Sequence, residues 1–289
     1  MYSNLTLKTL SFIFLSFYVA SAHADLTLLV NAPRSPIKAQ KKWSGVAQYL
    51  SEAVGETIKI VAVPPSQTNE KAKQGGIDLM IVNPVMSTLV AHRYDGELLA
   101  TVERKSGSNI GGVILSKKGS GITKAEDLRG KDIMTYKKAS AAAYTFQMFH
   151  LKEKGITESN FASSRISKRQ DDIVLAVRAG VVDVGFVKTG LLEAMAKEGK
   201  IDLDDFEIVD QRSEGFAHVH STILYPQWYL LATSEKGKKV SSDVSKAALS
   251  VSTDHAAAKK AKINGFVKPL STKQLDKMLR EMHMAPFNS

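Results

Sequence analysis

The sequence predicts an α/β protein of two lobes, each a mostly parallel sheet flanked by helices, with a cleft between them. Three observations carry this expectation. Short apolar runs alternate with amphipathic stretches of helix length, and near-continuous Ile/Val/Leu runs mark strands buried on both faces. A pattern of glycine, Ile/Val-Asp strand, polar residue and helix occurs at residues 76–90 and again at 180–195. In each copy the carboxyl end of the strand hands a hydrogen-bonding residue to a helix start, Asn83 first and Thr189 second, and two such starts facing one another describe a ligand cleft.

Leu26-Thr-Leu-Leu-Val30 reads as a strand, and the Pro33 and Ser35-Pro36 turn leads into a helix with Trp43, Val46, Tyr49 and Leu50 on one face. Gly55 ends that helix before the strand Thr57–Val63, which Pro64-Pro65 breaks. Ser66 or Thr68 is placed to cap a short helix stopping at Gly75-Gly76. Ile77–Val82 is a third strand, Asn83-Pro84 opens a helix to His92, and Leu98–Val102 is a fourth strand. After the polar connector Ser106–Asn109 a second unit begins with the strand Gly111–Leu115. Thr123-Lys-Ala-Glu126 has capping-box spacing and opens one helical turn ending at Gly130. Ile133–Tyr136 is a strand feeding a helix that starts near Ser140, with Lys137 and Lys138 beside the turn. Helix-start N–H groups, the helix dipole and the Ser140 hydroxyl together suit an anion. Ser164–Ser167 is extended, Asp171–Ala179 a helix, Asp183–Val187 a strand and Leu191–Lys197 a helix, with Phe206–Val209 closing the unit. Gly215–Ser221 reads as a return connector. Trp228–Thr233 is a strand, and Asp243–Val251, Ala256–Lys262 and a segment capped by Ser271-Thr-Lys-Gln274 are helices returned to the first lobe.

The domain reading is therefore a leader at 1–24, one lobe from 25–106 with 222–289, and a second from 107–221. Lys8, the apolar run Leu10–Ala20 and Ala22-His-Ala24 form a secretory signal pattern, with Asp25 as the expected mature N-terminus in a periplasm. Beyond it no long apolar segment is present, so a soluble mature protein is expected, and any signalling would run through a separate membrane protein. The chain has no cysteine, which excludes disulfides and thiolate chemistry. The net charge of +10 comes from lysines spread along the chain with no recognition motif, which argues against nucleic acid and for a bias towards anions.

The order of Asn83-Pro84, Gly111-Gly-Val-Ile114, Asp127-Leu-Arg-Gly-Lys131, Val184–Glu193, Leu224-Tyr-Pro-Gln-Trp228 and Lys268-Pro-Leu270 resembles the phosphonate-type periplasmic binding proteins. Within that family it is most similar to the periplasmic sensor portions of tetrathionate-type sensor histidine kinases. The resemblance implies the two-lobed class II binding-protein fold. It also implies a small, anionic ligand, hinge closure, no cofactor, a monomer, and a membrane partner that is either an ABC permease or a sensor kinase. Carried onto this chain, it implies ligand contacts from Asn83, Ser87, Ser140, Tyr144, Thr189 and Tyr225. Ala139 and Ala141 flank a lone Ser140 where phosphonate binders carry a hydroxyl-rich run, which favours a sensor-like ligand over a phosphonate.

The competing reading is an exported metal-dependent enzyme acting on a small anion. It rests on His218 and His220, which an extended segment would place on one side, and no third ligand stands at familiar spacing. Nucleophile-elbow, Walker and zincin motifs are all missing, so no catalytic residue is assigned.

Overall fold

The computed structural model describes residues 25–33 and 35–287, so the expected leader lies outside the described residues. The first sheet starts with β1 (Leu26–Asn31), α1 (Pro36–Val54) and β2 (Ile58–Val63). Ser35 caps α1 by accepting from the Lys38 N–H, Pro36 occupies its first turn, and Gly55 ends it at φ 69°, a conformation that strains any side chain. Trp43, Val46, Ala47 and Leu50 form its buried face. Next come α2 (Thr68–Lys73), β3 (Leu79–Val82), α3 (Pro84–Tyr94) and β4 (Glu97–Glu103). The chain then passes through β5 (Asn109–Ile110) into the second sheet. That unit is β6 (Gly112–Lys117), β7 (Asp132–Thr135), α4 (Phe146–Glu153), β8 (Ser163–Ile166), α5 (Gln170–Arg178), β9 (Val184–Lys188), α6 (Leu191–Lys197) and β10 (Phe206–Ile208). It returns through β11 (Tyr225–Pro226) to β12 (Tyr229–Ala232), α7 (Glu235–Lys239), α8 (Ser241–Leu249), α9 (Ala256–Ala261), β13 (Gly265–Val267) and α10 (Lys273–Glu281).

The first sheet has the order β13-β4-β12-β3-β1-β2 and the second β10-β6-β9-β7-β8. Stripped of the extra edge strand β13, the two orders are the same. In each, the first strand lies between the second and third, and the strand that has just crossed from the other lobe lies beside the third. That crossing strand, β12 in one sheet and β6 in the other, runs antiparallel to its neighbours. β1, β2 and β3 are mutually parallel, as are β7, β8 and β9. Most strands of each sheet therefore share one direction, as expected, and the strand arriving from the far lobe enters from the opposite end. Leu28, Val30, Leu79, Ile81, Leu230 and Ala232 pack under α1, α8 and α9, while Val113, Leu115 and Val187 share a core with Ile173 and Val177 of α5 and Leu191 and Met195 of α6.

Three local expectations are corrected. Thr68 does not cap α2 through its side chain; its hydroxyl accepts from Asn31 Nδ2 at 2.6 Å and is fully buried. At the 123–130 turn the reciprocating carboxylate is Asp127, not Glu126, accepting from the Thr123 and Lys124 N–H groups, both at 2.9 Å. Two amide donors hold its carboxyl below the usual range. Finally, Ser140 does not begin a regular α-helix. Residues 141–145 form a single π-turn, with the Thr145 N–H donating to the Ser140 carbonyl and the Phe146 N–H to that of Ala141.

Candidate functional site

The carboxyl ends of β1 and β3 form one wall of the site. Asn31, 1% exposed, accepts from both the backbone N–H of Asn83 (3.0 Å) and its Nδ2 (3.2 Å), and donates to Thr68. Asn83 in turn caps α3 by accepting from the Met86 N–H at 3.1 Å. A strand end followed by Asn-Pro thus builds a rigid polar corner, since Pro84 needs no donor partner and Asn83 satisfies one that does. Ser87 is fully buried, and its hydroxyl donates back to the Val82 carbonyl at 3.2 Å. The wall is well made, but the polar groups expected to meet ligand largely hold each other.

The opposite wall comes from β7, the π-turn and β9. Ser140 is half-buried with no side-chain capping bond, so its hydroxyl stands at the turn without a helical role. The three alanines after it are buried, and Ala141 and Ala142 pack against Val85 and Leu89 of α3. Small side chains let the two walls approach here. Tyr144 instead turns to Glu158, donating at 2.6 Å with Lys138 alongside; burial and that carboxylate push the phenol up to about 12. Thr189 Oγ1 accepts from the Gly111 N–H at 3.3 Å and is 6% exposed, so it ties the end of β9 to the first passage. Tyr225 is 1% exposed and stacks on Phe146, ring centroids 4.0 Å apart, and burial pushes its phenol above the ordinary range. Its place is the apolar packing between lobes, with Phe149, Tyr229, Leu275 and Met278. The Tyr136 hydroxyl of the second lobe donates to the Pro33 carbonyl of the first at 3.2 Å, and Lys277 of the first lobe also reaches Glu153 of the second at 3.1 Å.

The two passages between sheets meet as an antiparallel pair, Ile110 opposite Tyr225 and Asn109 opposite Pro226. The return therefore comes later than Gly215–Ser221, which stays with the second lobe: the Val219 N–H donates to Glu193 and Ser221 bonds to Gly112 and Ile114. His218 and His220 diverge in their partners. His218 faces Glu193 at 3.6 Å; His220 meets Glu214 at 3.3 Å and, through Nδ1, the Thr222 carbonyl at 2.8 Å. Among the described residues no group of three His, Asp or Glu side chains is placed to hold a metal ion.

A set of cations not singled out in the sequence completes the picture. Lys42 of α1 and Arg104, just past β4, belong to the first lobe; Lys188 ends β9 in the second. Burial, together with the positive charges of Arg104, Lys262 and Lys188, pulls the Lys42 ammonium down to about 8. Burial also lowers the Arg104 guanidinium. No carboxylate offsets either shift. The chain's two tryptophans stack beside this group, centroids 6.5 Å apart. Lys42 Nζ lies 5.4 Å from the Trp43 ring and Arg104 Cζ 5.5 Å from that of Trp228. The sequence shows only that Lys42 and Trp43 are neighbours; Arg104 and Trp228 come together through the fold.

Comparison with known proteins agrees with this architecture. A family model described as the phosphonate periplasmic substrate-binding protein of an ABC transporter matches residues 29–273. The tetrathionate sensor histidine kinase of Salmonella typhimurium is 29% identical over 265 residues, 88% of this chain and 43% of that protein. The chain thus spans less than half the length of this relative. Among solved structures, XAC2383 from Xanthomonas citri bound to ATP superposes with a TM-score of 0.71 at 16% identity, covering 88% of this chain and 94% of that one. PhnD1 from Prochlorococcus marinus in complex with methylphosphonate gives 0.68 at 12% identity, over 90% and 98%. The aliphatic sulphonate binding protein of Escherichia coli gives 0.59 at 16%, over 91% and 88%. These structures share the class II periplasmic binding-protein fold, and family and fold point to binding rather than catalysis. With most of its length matched by the family model, the chain belongs to the phosphonate-type family of periplasmic substrate-binding proteins.

Proposed function

We propose that this protein captures a small anion between its lobes in the periplasm and presents it to a membrane partner, either an ABC permease or a sensor kinase. In this reading residues 1–24 are removed on export, 25–106 with 222–289 form one lobe, 107–221 form the other, and the protein works as a monomer. The observation that carries the reading is the pair of half-buried cations Lys42 and Arg104 of one lobe, set on the two rings of the Trp43–Trp228 stack with no carboxylate to offset the burial of either. Buried charge of one sign is costly unless a counter-charge joins it. A ligand that enters between lobes and supplies negative charge lowers that cost and favours the closed form. The relative named as a tetrathionate sensor makes tetrathionate the first anion to try, with methylphosphonate as the comparator.

A thermal-shift series on the mature chain tests this. At a hundredfold excess over its dissociation constant a ligand stabilises by about 2.7 kcal/mol, an increase in Tm on the order of 5 to 10 °C for a chain of this size. Stabilisation by an anion together with compaction in small-angle scattering supports the reading. Response only to neutral or cationic solutes refutes the anion, and binding without compaction refutes hinge closure.

A further inference from the structure

We propose that the outer face of α1, with Lys260 of α9 laid across it, docks on an anionic lipid surface through a row of unpaired lysines and the exposed side chain of Ile37. This face lies outside the cleft and works without a captured ligand, so it stands apart from the anion-capture reading above.

α1 buries one side, formed by Ala39, Trp43, Val46, Ala47 and Leu50. The opposite side carries Lys38, Lys41 and Gly45 at the i, i+3, i+7 spacing of one helical stripe. α9 runs back along this stripe. The His255 ring lies on that of Tyr49 with centroids 4.4 Å apart, and five residues later Lys260 reaches Gly45. A methyl group at Gly45 would stand 3.2 Å from Lys260 Cδ and 3.3 Å from Ala257 Cα, so the missing side chain is what lets the lysine stem cross α1. The Lys260 ammonium therefore joins the stripe one turn from Lys41 and two from Lys38. All three lysines are exposed, and among the described residues none of their ammonium groups has an ion pair or a hydrogen bond. The carboxylates nearby are committed or distant. Asp254 holds Lys259 at 3.6 Å, and Glu52, the single acid of α1, lies three turns beyond Lys41 and accepts from Gln48.

Like charges along one stripe repel, and a negative surface laid over them reverses that cost. Ile37 flanks the row and is 78% exposed, the most exposed large apolar side chain among the described residues. An apolar group beside lysines fits the boundary of a bilayer, where ammonium groups stay with the phosphates and the apolar group enters the acyl region. The charge of the whole chain points the same way. Residues 25–106 with 222–289 carry 21 Lys and Arg against 13 Asp and Glu, whereas 107–221 carry 17 against 16. The lobe that bears α1 is thus the one drawn to a negative surface. These cations are lysines standing in the open, without the planar fork that reads one carboxylate or phosphate, which favours many headgroups over an acidic peptide.

Co-sedimentation of the mature chain with vesicles of phosphatidylglycerol and phosphatidylcholine in equal parts, and with pure phosphatidylcholine, tests the proposal without any ligand. At about fivefold for each of three lysines, the wild type should prefer the anionic vesicles on the order of a hundredfold, and molar salt should abolish the preference. Combining Lys38→Gln, Lys41→Gln and Lys260→Gln should bring binding close to the level on neutral vesicles. Combining Lys117→Gln, Lys124→Gln and Lys168→Gln makes the same change of charge on exposed lysines of the second lobe and should leave binding in place. Ile37→Ser should bind more weakly with its salt dependence unaltered. Equal partition of the wild type onto both kinds of vesicle overturns the proposal. Equal losses in the two triple variants also overturn it, because they assign the attraction to net charge alone. Capture of soluble polyglutamate in preference to anionic vesicles, lost in the first triple variant, overturns the lipid in favour of an acidic polypeptide.

Discussion

Replacing Lys42 by Met should make the protein more stable at neutral pH, by an amount that disappears at high pH. The ammonium titrates near 8 in the folded state against 10.5 in an unfolded chain. Below pH 8 both states carry the charge, and the folded state bears its whole cost of burial beside Arg104, Lys188 and Lys262. Between pH 8 and 10.5 the native state releases the proton first, so the unfolded state binds more protons and this group's contribution to stability rises with pH. Above 10.5 the cost is gone. At about 1.4 kcal/mol per pKa unit the full difference is about 3.4 kcal/mol. Partial exposure of the side chain reduces it, and the lost contact with the Trp43 ring offsets about 0.5–1 kcal/mol. A net gain of about 2 kcal/mol at pH 7 remains, or roughly 5 °C in Tm. Methionine retains most of the aliphatic stem, so its packing beside Trp43 is preserved. Urea unfolding of both proteins at pH 7, 8, 9 and 10 in low salt measures the gap directly. A variant less stable than wild type at pH 7, or a gap that does not narrow across this window, would show that Lys42 is not held among like charges.

Three further outcomes follow from single contacts. Asn31→Ala removes the acceptor of the Asn83 N–H and the partner of Thr68 in a fully buried corner, and should cost about 2–4 kcal/mol in urea unfolding; a loss under 1 kcal/mol would mean water replaces it. Gly237→Ala places a methyl group on the Asp78 carbonyl at the start of α7, where backbone meets backbone, and should leave little folded protein by circular dichroism, whereas Lys236→Ala beside it should fold normally. Tyr136→Phe removes a bond between the lobes, to Pro33, and should leave global stability within about 1 kcal/mol. The same variant should enlarge the radius of gyration of the empty protein, and no change in scattering would show that the bond does not hold the lobes.

Punctuation was the most legible feature of the sequence. Ser35-Pro36 and Gly55 bound α1, and α6 occupies Leu191–Lys197 as expected, because caps and glycines act within a few residues. β5, β11 and β13 were missed for the opposite reason: two or three residues carry no period, and their ladders join parts of the chain more than a hundred residues apart. The antiparallel entry of β12 and β6 is a property of topology, invisible to apolar runs that look alike in either direction. The site divides the same way. Asn83 was recognisable as a helix start, but the buried Asn31 that holds it was not, since its partners lie 37 and 52 residues away. Thr189 and Tyr225 were expected to meet ligand, yet one ties down Gly111 and the other stacks on Phe146, choices made by neighbours 78 and 79 residues away along the chain. The cationic group could not be read because lysines at 42, 188 and 262 become neighbours only in three dimensions.

The place of β12 in the first sheet also governs the order in which the molecule can be assembled from its N-terminus. β3 and β4 have no ladder between them; both bond to β12, which is supplied only when synthesis reaches Tyr229. A nascent chain that ends earlier carries β3 with one edge unpaired and β4 with neither edge paired, while the strands of the second sheet all lie within residues 112–208. The inner lobe is therefore complete as an uninterrupted stretch, and the outer one closes around it last.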